Sequence, residues 1–469
     1  MLRKTKIIST LGPVTEERAM IAKLIRAGAN IFRLNMSHAA HDWIREVVVE
    51  IRAAEEMTES NVALLMDMQG PAIRTGYLQE SFLLKVGQEL EFTAPGYQPS
   101  QALSTATNYP DLYQDIEVGN TMLLDNGLIH VEVLAKNAER ILTKVLIPGK
   151  LSSRKHINLP GVNVSLPALT DKDEKDLELG VEMGVHFFAL SFARQGAHVQ
   201  YLRERLQSLG SKARIIAKVE DQQAVRNLDE IIHQADAVMV ARGDLGIEVP
   251  FEELPIIQRR IVKQCTIKSK RVIVATHMLE SMTESPVPTR AEVTDVANAV
   301  YEQADAVMLS GESAMGKYPE ECVQMLDKIA RRTERSGGIG YAEFAELKDD
   351  KQKSVKAGVV LANSVEDSKI LVFTRRGVMA HHISKLRPEK APIFAFTAAE
   401  DVRKTLVLNR AVEAFWCDFD HQDANAMIDR AIEQLKGLGH LESGDKVVIL
   451  SDVLIGEFLN DAILLRQVT

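Results

Sequence analysis

The sequence is poor in cysteine. Its 469 residues include three, Cys265, Cys322 and Cys417, too far apart for a C-x-x-C pair, so reduced buried thiols are expected rather than a disulfide framework or a zinc site. No apolar run is long enough to span a bilayer. The first residues, Met1-Leu-Arg-Lys-Thr-Lys, lead straight into a strand-like stretch without the apolar segment and cleavage site of a signal peptide. Positive charge is not concentrated anywhere: the net charge is -9 with acids and bases interleaved, which argues against nucleic acid and anionic membranes as partners. Short-period repeats and low-complexity tracts are missing too, and no G-x-G-x-x-G follows a strand and opens a helix, so a dinucleotide fold has no support. These absences lead to the expectation of a cytoplasmic globular enzyme. With 46% hydrophobic residues, the chain has material for two or three domains.

What is present is a regular alternation. Short β-branched runs at residues 5–9, 30–34 and 62–67 are separated by amphipathic helical patterns, and the same order resumes at 187–191, 214–218, 237–241, 272–275 and 306–309. Nearly continuous apolar strands alternating with helices are the pattern of parallel sheets covered on both faces. Eight such units predict a (β/α)₈ TIM barrel, with a doubly wound sheet as the alternative. The interruption alternates apolar with polar residues, as in Glu89-Leu-Glu-Phe, Ile129-His-Val-Glu-Val and Ile141-Leu-Thr-Lys-Val, and reads as an inserted β-barrel-like domain. Thr170 with Asp173 is a helix-start signature that would restart the barrel. After Ser336-Gly-Gly-Ile-Gly, strand-like stretches at 370–373, 392–396, 412–416 and 446–450 predict a C-terminal α/β domain. The expected division is 1–70 with 167–340 for the catalytic barrel, 71–166 for the inserted lid, and 341–469 for a domain carrying a candidate effector site and subunit contacts.

Catalytic groups of such a barrel gather at the C-terminal ends of its strands. Arg33 and Asn35 end the second strand, Asp67 the third, Ser191 the fourth, Lys218 with Glu220 the fifth, Arg242 to Asp244 the sixth, and Thr276 the seventh. One such residue alone is ordinarily a solvated loop charge or a structural ion pair. Together they amount to more. Glu220 and Asp244 offer hard oxygens to Mg²⁺, which takes its remaining ligands from water and substrate. Lys218 adds a positive charge, Thr276 a hydroxyl, and Gly243 lets a carboxylate approach its own N–H and that of Asp244. The set describes a receptor for a small acid carrying phosphate. Gly311-Glu-Ser-Ala-Met-Gly-Lys-Tyr has Walker-like spacing, but Tyr318 stands where a Ser or Thr is required. It is read as a loop after the eighth strand. His38, a lone histidine, earns notice only by its place at the mouth.

The motifs Arg33-Leu-Asn-Met-Ser-His, Asp67-Met-Gln-Gly-Pro-Ala-Ile-Arg, Lys218-Val-Glu, Met239-Val-Ala-Arg-Gly-Asp-Leu-Gly, Ala275-Thr-His-Met-Leu-Glu-Ser-Met and Pro288-Thr-Arg-Ala-Glu together resemble pyruvate kinase. The resemblance runs in family order over almost the whole chain, including Leu124-Asp-Asn-Gly and Asn158-Leu-Pro-Gly of the insert. It implies transfer of a phosphoryl group from phosphoenolpyruvate to ADP, and a homotetramer. Glu220 and Asp244 would hold Mg²⁺ or Mn²⁺; Gly243, Asp244 and Thr276 would receive the carboxylate; and Arg33 and Lys218 would neutralise the phosphoryl oxygens, with Arg33, Lys218 and Thr276 catalytic. Nucleotide contacts would fall on Asn35, His38, Arg74 and Lys155.

The chain also departs from the family. Potassium-requiring members resemble one another in a Glu two residues after the glycine of the Asp67 motif, and potassium-independent ones carry Lys. Here that residue is Ala72. Met68-Gln69 is similar to the independent group and Thr75 to the dependent group. With no lysine replacing the cation, K⁺ is expected, held by Asn35, Ser37, Asp67 and the Met68 carbonyl. In the C-terminal domain the phosphate loop reads Phe373-Thr-Arg-Arg-Gly, and the later loop, Asp452-Val-Leu-Ile-Gly-Glu-Phe-Leu-Asn, has lost its run of small residues. Arg375 and Arg376 remain as receivers of an anionic effector, but activation by fructose bisphosphate is not expected. Two other readings compete: a magnesium-dependent lyase or aldolase of pyruvate, which has no need of Arg74, Lys155 or a lid, and a non-catalytic regulatory subunit, which has no reason to keep Lys218, Glu220, Asp244 and Thr276 together.

Overall fold

A computed structural model describes residues 2–419, 424–455 and 458–469, with the side chains of 424 and 452–460 outside the description. Eight parallel strands, Lys6–Thr10, Ile31–Asn35, Ala63–Asp67, Phe187–Leu190, Arg214–Val219, Ala237–Ala241, Arg271–Ala275 and Ala306–Leu309, close into one barrel. The doubly wound alternative is thereby removed. The strands read as unbroken apolar runs because both faces are covered. Ile7, Phe32, Leu64, Phe188 and Ile215 pack outward against the helices, while Ile8, Ile31, Ala63, Leu65, Phe187, Ala189, Ile216, Met239 and Ile273 fill the interior.

That inner row fixes where the polar residues go. Side chains of a strand repeat face every second residue, so Arg33 follows inward Ile31, Asp67 follows Leu65, Ser191 follows Ala189, and Lys218 follows Ile216. Each strand therefore turns polar at its C-terminal end without leaving the inner face, and the charged groups meet across the mouth.

The insert leaves the barrel after the third strand. Its main sheet joins Ile157–Asn158, Thr121–Leu124, Ile129–Lys136, Arg140–Ile147, Glu89–Thr93 and Ser104–Ala106, in that spatial order, and Phe82–Leu84 pairs separately with Gly149–Leu151. The alternating residues of these strands, among them Leu90, Phe92, Val131, Val133, Ile141 and Val145, build a separate core. The chain re-enters through the helix Asp171–Glu182, which begins with the expected capping box between Thr170 and Asp173. Asp173 Oδ1 also accepts the Gly70 N–H at 3.1 Å. Departure and return are thus pinned at one point.

The C-terminal sheet runs Val412–Trp416, Ile393–Thr397, Lys369–Phe373, Lys446–Ile455, with the antiparallel strand Phe458–Gln467 at its edge. That edge strand escaped the sequence reading because Asn460 and Asp461 break its apolar pattern. Of the later loop read at 452–460, residues 456–457 and all the side chains lie outside the described residues. The Walker-like segment begins as one short helix, Gly311–Ala314, and continues over 315–318 as the expected loop. Its Glu312 is buried and accepts the N–H groups of Leu279 at 3.1 Å and Ser310 at 2.7 Å, which occupies it structurally.

The C-terminal domain is joined intimately to the bottom of the barrel. Val407 and Leu408 belong to the same buried cluster as the barrel interior. Around them, Arg387 grips Asp305 through both guanidinium nitrogens at 2.7 Å, Arg271 Nε donates to Asn409 at 2.6 Å, and Lys6 Nζ donates to the Val412 carbonyl at 2.6 Å. These anchors sit at the N-terminal ends of the first, seventh and eighth strands, opposite the mouth.

Candidate active site

Asp67 is the centre of the charge network. Its Oδ2 accepts Arg33 Nε at 2.7 Å and its Oδ1 accepts Lys218 Nζ at 3.0 Å. Burial opposes its ionisation, but Lys218 and Arg33 outweigh this and hold the carboxyl below its ordinary range. Lys218 Nζ also reaches Glu220 Oε1 at 2.8 Å and Ser191 Oγ at 2.7 Å. Burial would favour neutral Lys218, yet Asp67 and Glu220 beside it raise its pKa, so it remains charged. Two cations, Lys218 buried and Arg33 half-buried, are thereby held side by side, each oriented by a different oxygen of one carboxylate.

Glu220 is under the opposite pressure. Burial pushes it up to about 7, only partly relieved by Lys218, with Asp244 adding to the strain. A second observation bears on a metal. Among the described residues no three His, Cys, Asp or Glu side chains gather as a complete metal cage. Glu220 and Asp244, close enough to act on one another's charge, offer hard carboxylate oxygens of the kind that suit an ion taking its remaining ligands from substrate and water. The donor set fits Mg²⁺ or Mn²⁺.

The residues expected to receive the carboxylate lie at the ends of the sixth and seventh strands. Gly243 N donates to Thr276 Oγ1 at 2.7 Å, and that hydroxyl donates to the Ala275 carbonyl at 2.6 Å. An added Cβ at Gly243 would stand 3.6 Å from the Thr276 side chain, an ordinary contact. Protein packing therefore does not demand glycine here. Thr276 and His277 both have positive φ, +66° and +53°, an unfavourable backbone for residues with a Cβ. Arg242 holds the turn, donating from Nη2 to the Thr276 carbonyl at 2.5 Å and pairing through Nη1 with Asp295 at 2.6 Å.

The residues expected around K⁺ lie on adjacent strands. Asn35 pairs in register with Asp67, and Met36 N donates to the Asp67 carbonyl at 3.0 Å. Asn35 Oδ1 accepts the Ser37 N–H at 3.2 Å, and the Met68 carbonyl accepts Ser191 Oγ at 2.7 Å. Ser37 and His38 are exposed at the rim. The Ala72 carbonyl accepts Asn108 Nδ2 at 2.9 Å, and its N–H donates to the Gly70 carbonyl at 3.1 Å.

Arg74 and Lys155 sit on the insert rather than in the charge network. Arg74 Nη1 donates to the Arg154 carbonyl at 3.1 Å, and Lys155 Nζ pairs with Asp125 at 2.8 Å. Between them the backbone of Arg74 bridges that of His156, whose ring faces Phe192 of the barrel with centroids 6.0 Å apart. Burial lowers the His156 pKa to about 4 against the pull of Asp244, with Arg74 and Arg194 adding to the shift. His156 and Phe192 were missed in the sequence. A single histidine in a β insert and the residue after a strand-end serine carry no spacing signal.

Two family models match the chain: "Pyruvate kinase, barrel domain" over residues 2–323 and "Pyruvate kinase, alpha/beta domain" over 352–460. A pyruvate kinase of Geobacillus stearothermophilus is 39% identical over 472 residues, spanning 97% of this chain and 79% of its own length. One of Thermotoga maritima is 37% identical over 453 residues, spanning 96% and 97%. A crystal structure of a pyruvate kinase from Cryptosporidium parvum superposes with a TM-score of 0.93 at 33% identity, covering 98% of this chain and 96% of that one.

Proposed function

Because the chain belongs to the pyruvate kinase family, we propose that the groups gathered at its barrel mouth are the ones that carry out the family's reaction. The enzyme transfers the phosphoryl group of phosphoenolpyruvate to ADP, giving pyruvate and ATP, the last step of glycolysis. The observation that carries the site assignment is the pair of cations Arg33 and Lys218, both bonded to Asp67 beside Glu220.

Phosphoryl transfer asks mainly for positioning and charge stabilisation. Arg33 and Lys218 present fixed positive charge to the phosphoryl oxygens, and because both are pre-oriented by Asp67 they need not reorganise as charge moves. Once the phosphoryl group has left, the substrate carries an enolate oxygen, and Lys218 is the group that stabilises it. A divalent ion held by Glu220 and Asp244 would neutralise substrate oxygens as a Lewis acid. Thr276 Oγ1 and the N–H groups of Gly243 and Asp244 receive the carboxylate, which requires the hydroxyl to leave its present bond to Gly243. Asn35 and His38 on the rim, with Arg74 and Lys155 on the insert, bind ADP, and Lys155 exchanges Asp125 for a phosphate when it does so. The insert closes over the mouth and excludes water that would otherwise take the phosphoryl group.

Incubating the purified protein with phosphoenolpyruvate, ADP, Mg²⁺ and K⁺ should yield pyruvate in strict dependence on ADP. Pyruvate formed equally without ADP would favour a lyase or hydrolase, and none at all would favour a non-catalytic subunit.

We assign K⁺ to Asn35, Ser37, Asp67 and the Met68 carbonyl, a reading supported by the Asn35 to Asp67 register and by the lack of a lysine at Ala72. Exchanging K⁺ for tetramethylammonium should lower turnover strongly; unchanged turnover would show that the site works without a monovalent ion. The cytoplasmic assignment is supported by three cysteines that are all buried and unpaired. A homotetramer is in keeping with exposed apolar side chains such as Phe251 and Ile256, which a partner surface would cover.

Arg375 and Arg376 line an open cleft of about 490 Å³ together with Arg203, Lys212 and Arg214 of the barrel. This convergence of cations supports an anionic effector. Fructose bisphosphate is not our choice, because the later loop lacks small residues: the phosphoenolpyruvate saturation curve should be the same with and without it, and a large shift would reverse this.

A further inference from the structure

The fourth strand ends in Ser191 and Phe192, and neither has a role in the reaction as described. Phe192 has φ +52°, a left-handed backbone that a phenylalanine adopts only when its surroundings hold it there. Its N–H donates to Glu220 Oε2 at 2.6 Å. Glu220 Oε1 is meanwhile held by Lys218, so the Phe192 N–H fixes the orientation of the second oxygen.

The backbone on either side is tightly confined. Ser191 Oγ accepts Lys218 Nζ and donates to the Met68 carbonyl, both at 2.7 Å. Gly70, at φ +71°, lies against the pair so closely that an added Cβ would be 2.9 Å from Ser191 Cβ and 3.2 Å from the Phe192 ring. The ring itself is held from two sides. Arg194 lies over it at 5.1 Å, tethered at 2.9 Å to Asp221, the neighbour of Glu220. From the other side comes His156 of the insert, edge-on at an interplanar angle of 66°.

We propose that Phe192 is a positioning residue that couples the docking of the insert to the geometry of Glu220. Its ring is the surface on which His156 rests, and its strained backbone is the donor that orients the carboxylate. When the insert leaves, the ring loses its edge contact and the left-handed backbone loses one of its restraints. The N–H then swings away, and Glu220 is released from the orientation that Phe192 and Lys218 together fix. Closure of the insert and binding of a divalent cation consequently strengthen one another by the same factor, as linkage requires. This inference rests on the assignment of Glu220 as a metal ligand.

The test uses the full-length protein and Mn²⁺, with bound ion measured directly from the electron paramagnetic resonance of the free ion, in the absence of substrates. His156→Ala removes a side chain that is not a ligand in this assignment, and should weaken Mn²⁺ binding on the order of 5–10-fold. Phe192→Gly keeps the N–H but removes the ring, and should weaken it similarly. The double variant should be no weaker than the stronger single effect, because both act through one contact, whereas Phe192→Tyr should restore wild-type binding. Mn²⁺ affinity of His156→Ala within twofold of wild type would overturn the proposal, and so would losses that multiply in the double variant. If Phe192→Gly fails to fold, the His156→Ala measurement decides alone. Should wild-type protein bind no Mn²⁺ at all, the metal assignment fails rather than the coupling.

Discussion

Lys218→Met is expected to lower turnover by about 10²–10³, equivalent to about 3–4 kcal/mol of transition-state stabilisation, while leaving phosphoenolpyruvate binding largely intact. Methionine nearly fills the volume of the lysine stem, so the loss is of charge rather than of packing. Arg33 remains bonded to Asp67 and still meets the phosphate in the ground state. What disappears is the donor whose importance grows as the enolate forms, and interactions made only in the transition state appear in kcat rather than in binding. A second consequence comes from the structure. Glu220 is already pushed up to about 7 with Lys218 beside it, and without that neighbour it should hold its proton to still higher pH. The pH at which activity reaches half its maximum should therefore move upward in the variant. Steady-state kinetics across pH, with a separate measurement of phosphoenolpyruvate binding, checks both. Near-normal turnover would remove Lys218 from the chemistry.

Arg387→Ala should destabilise the protein by about 3–5 kcal/mol, the range for leaving one member of a buried ion pair alone. Both side chains are nearly inaccessible, at 3% for Arg387 and 2% for Asp305. Among the described residues, Asp305 would be left with backbone donors only, Val272 N at 2.9 Å and Arg410 N at 3.3 Å. The residue lies beneath the barrel, far from the mouth, so the remaining folded enzyme should keep its Michaelis constants. A urea unfolding midpoint that falls at constant slope is the expected readout. A loss below about 1 kcal/mol would mean that water or neighbouring groups replace the guanidinium at little cost.

The barrel was legible because parallel strands covered on both faces must be apolar throughout, and eight such runs separated by helices have few other ways to fold. The positions of Arg33, Asp67 and Lys218 followed from strand ends, and the period of two explains why they converge. The insert was legible from its alternation. Other features depend on contacts between residues distant in sequence, which no local pattern carries. The bond from Phe192 to Glu220, the contact of His156 with Phe192, the grip of Arg387 on Asp305 and the partnership of Lys155 with Asp125 are all of this kind. The edge strand Phe458–Gln467 was missed for a local reason, its interrupting Asn460 and Asp461. The motif at Gly311 was rightly set aside on Tyr318, though a buried Glu312 accepting from two loops was not foreseeable from spacing.

Val407 and Leu408 close the barrel from below, and this has a bearing on how the chain is made. A ribosome adding ~5–20 residues per second needs roughly 5–20 s to pass from Leu309, the end of the eighth strand, to Leu408. Until then the inner row of Ile8, Ile31, Leu65 and Ile216 has no floor. The eighth strand, which must pair with the first to complete the ring, has by then already emerged. The nascent barrel thus has its eight strands before it has its base, which waits for a dipeptide that belongs to the next domain along the chain.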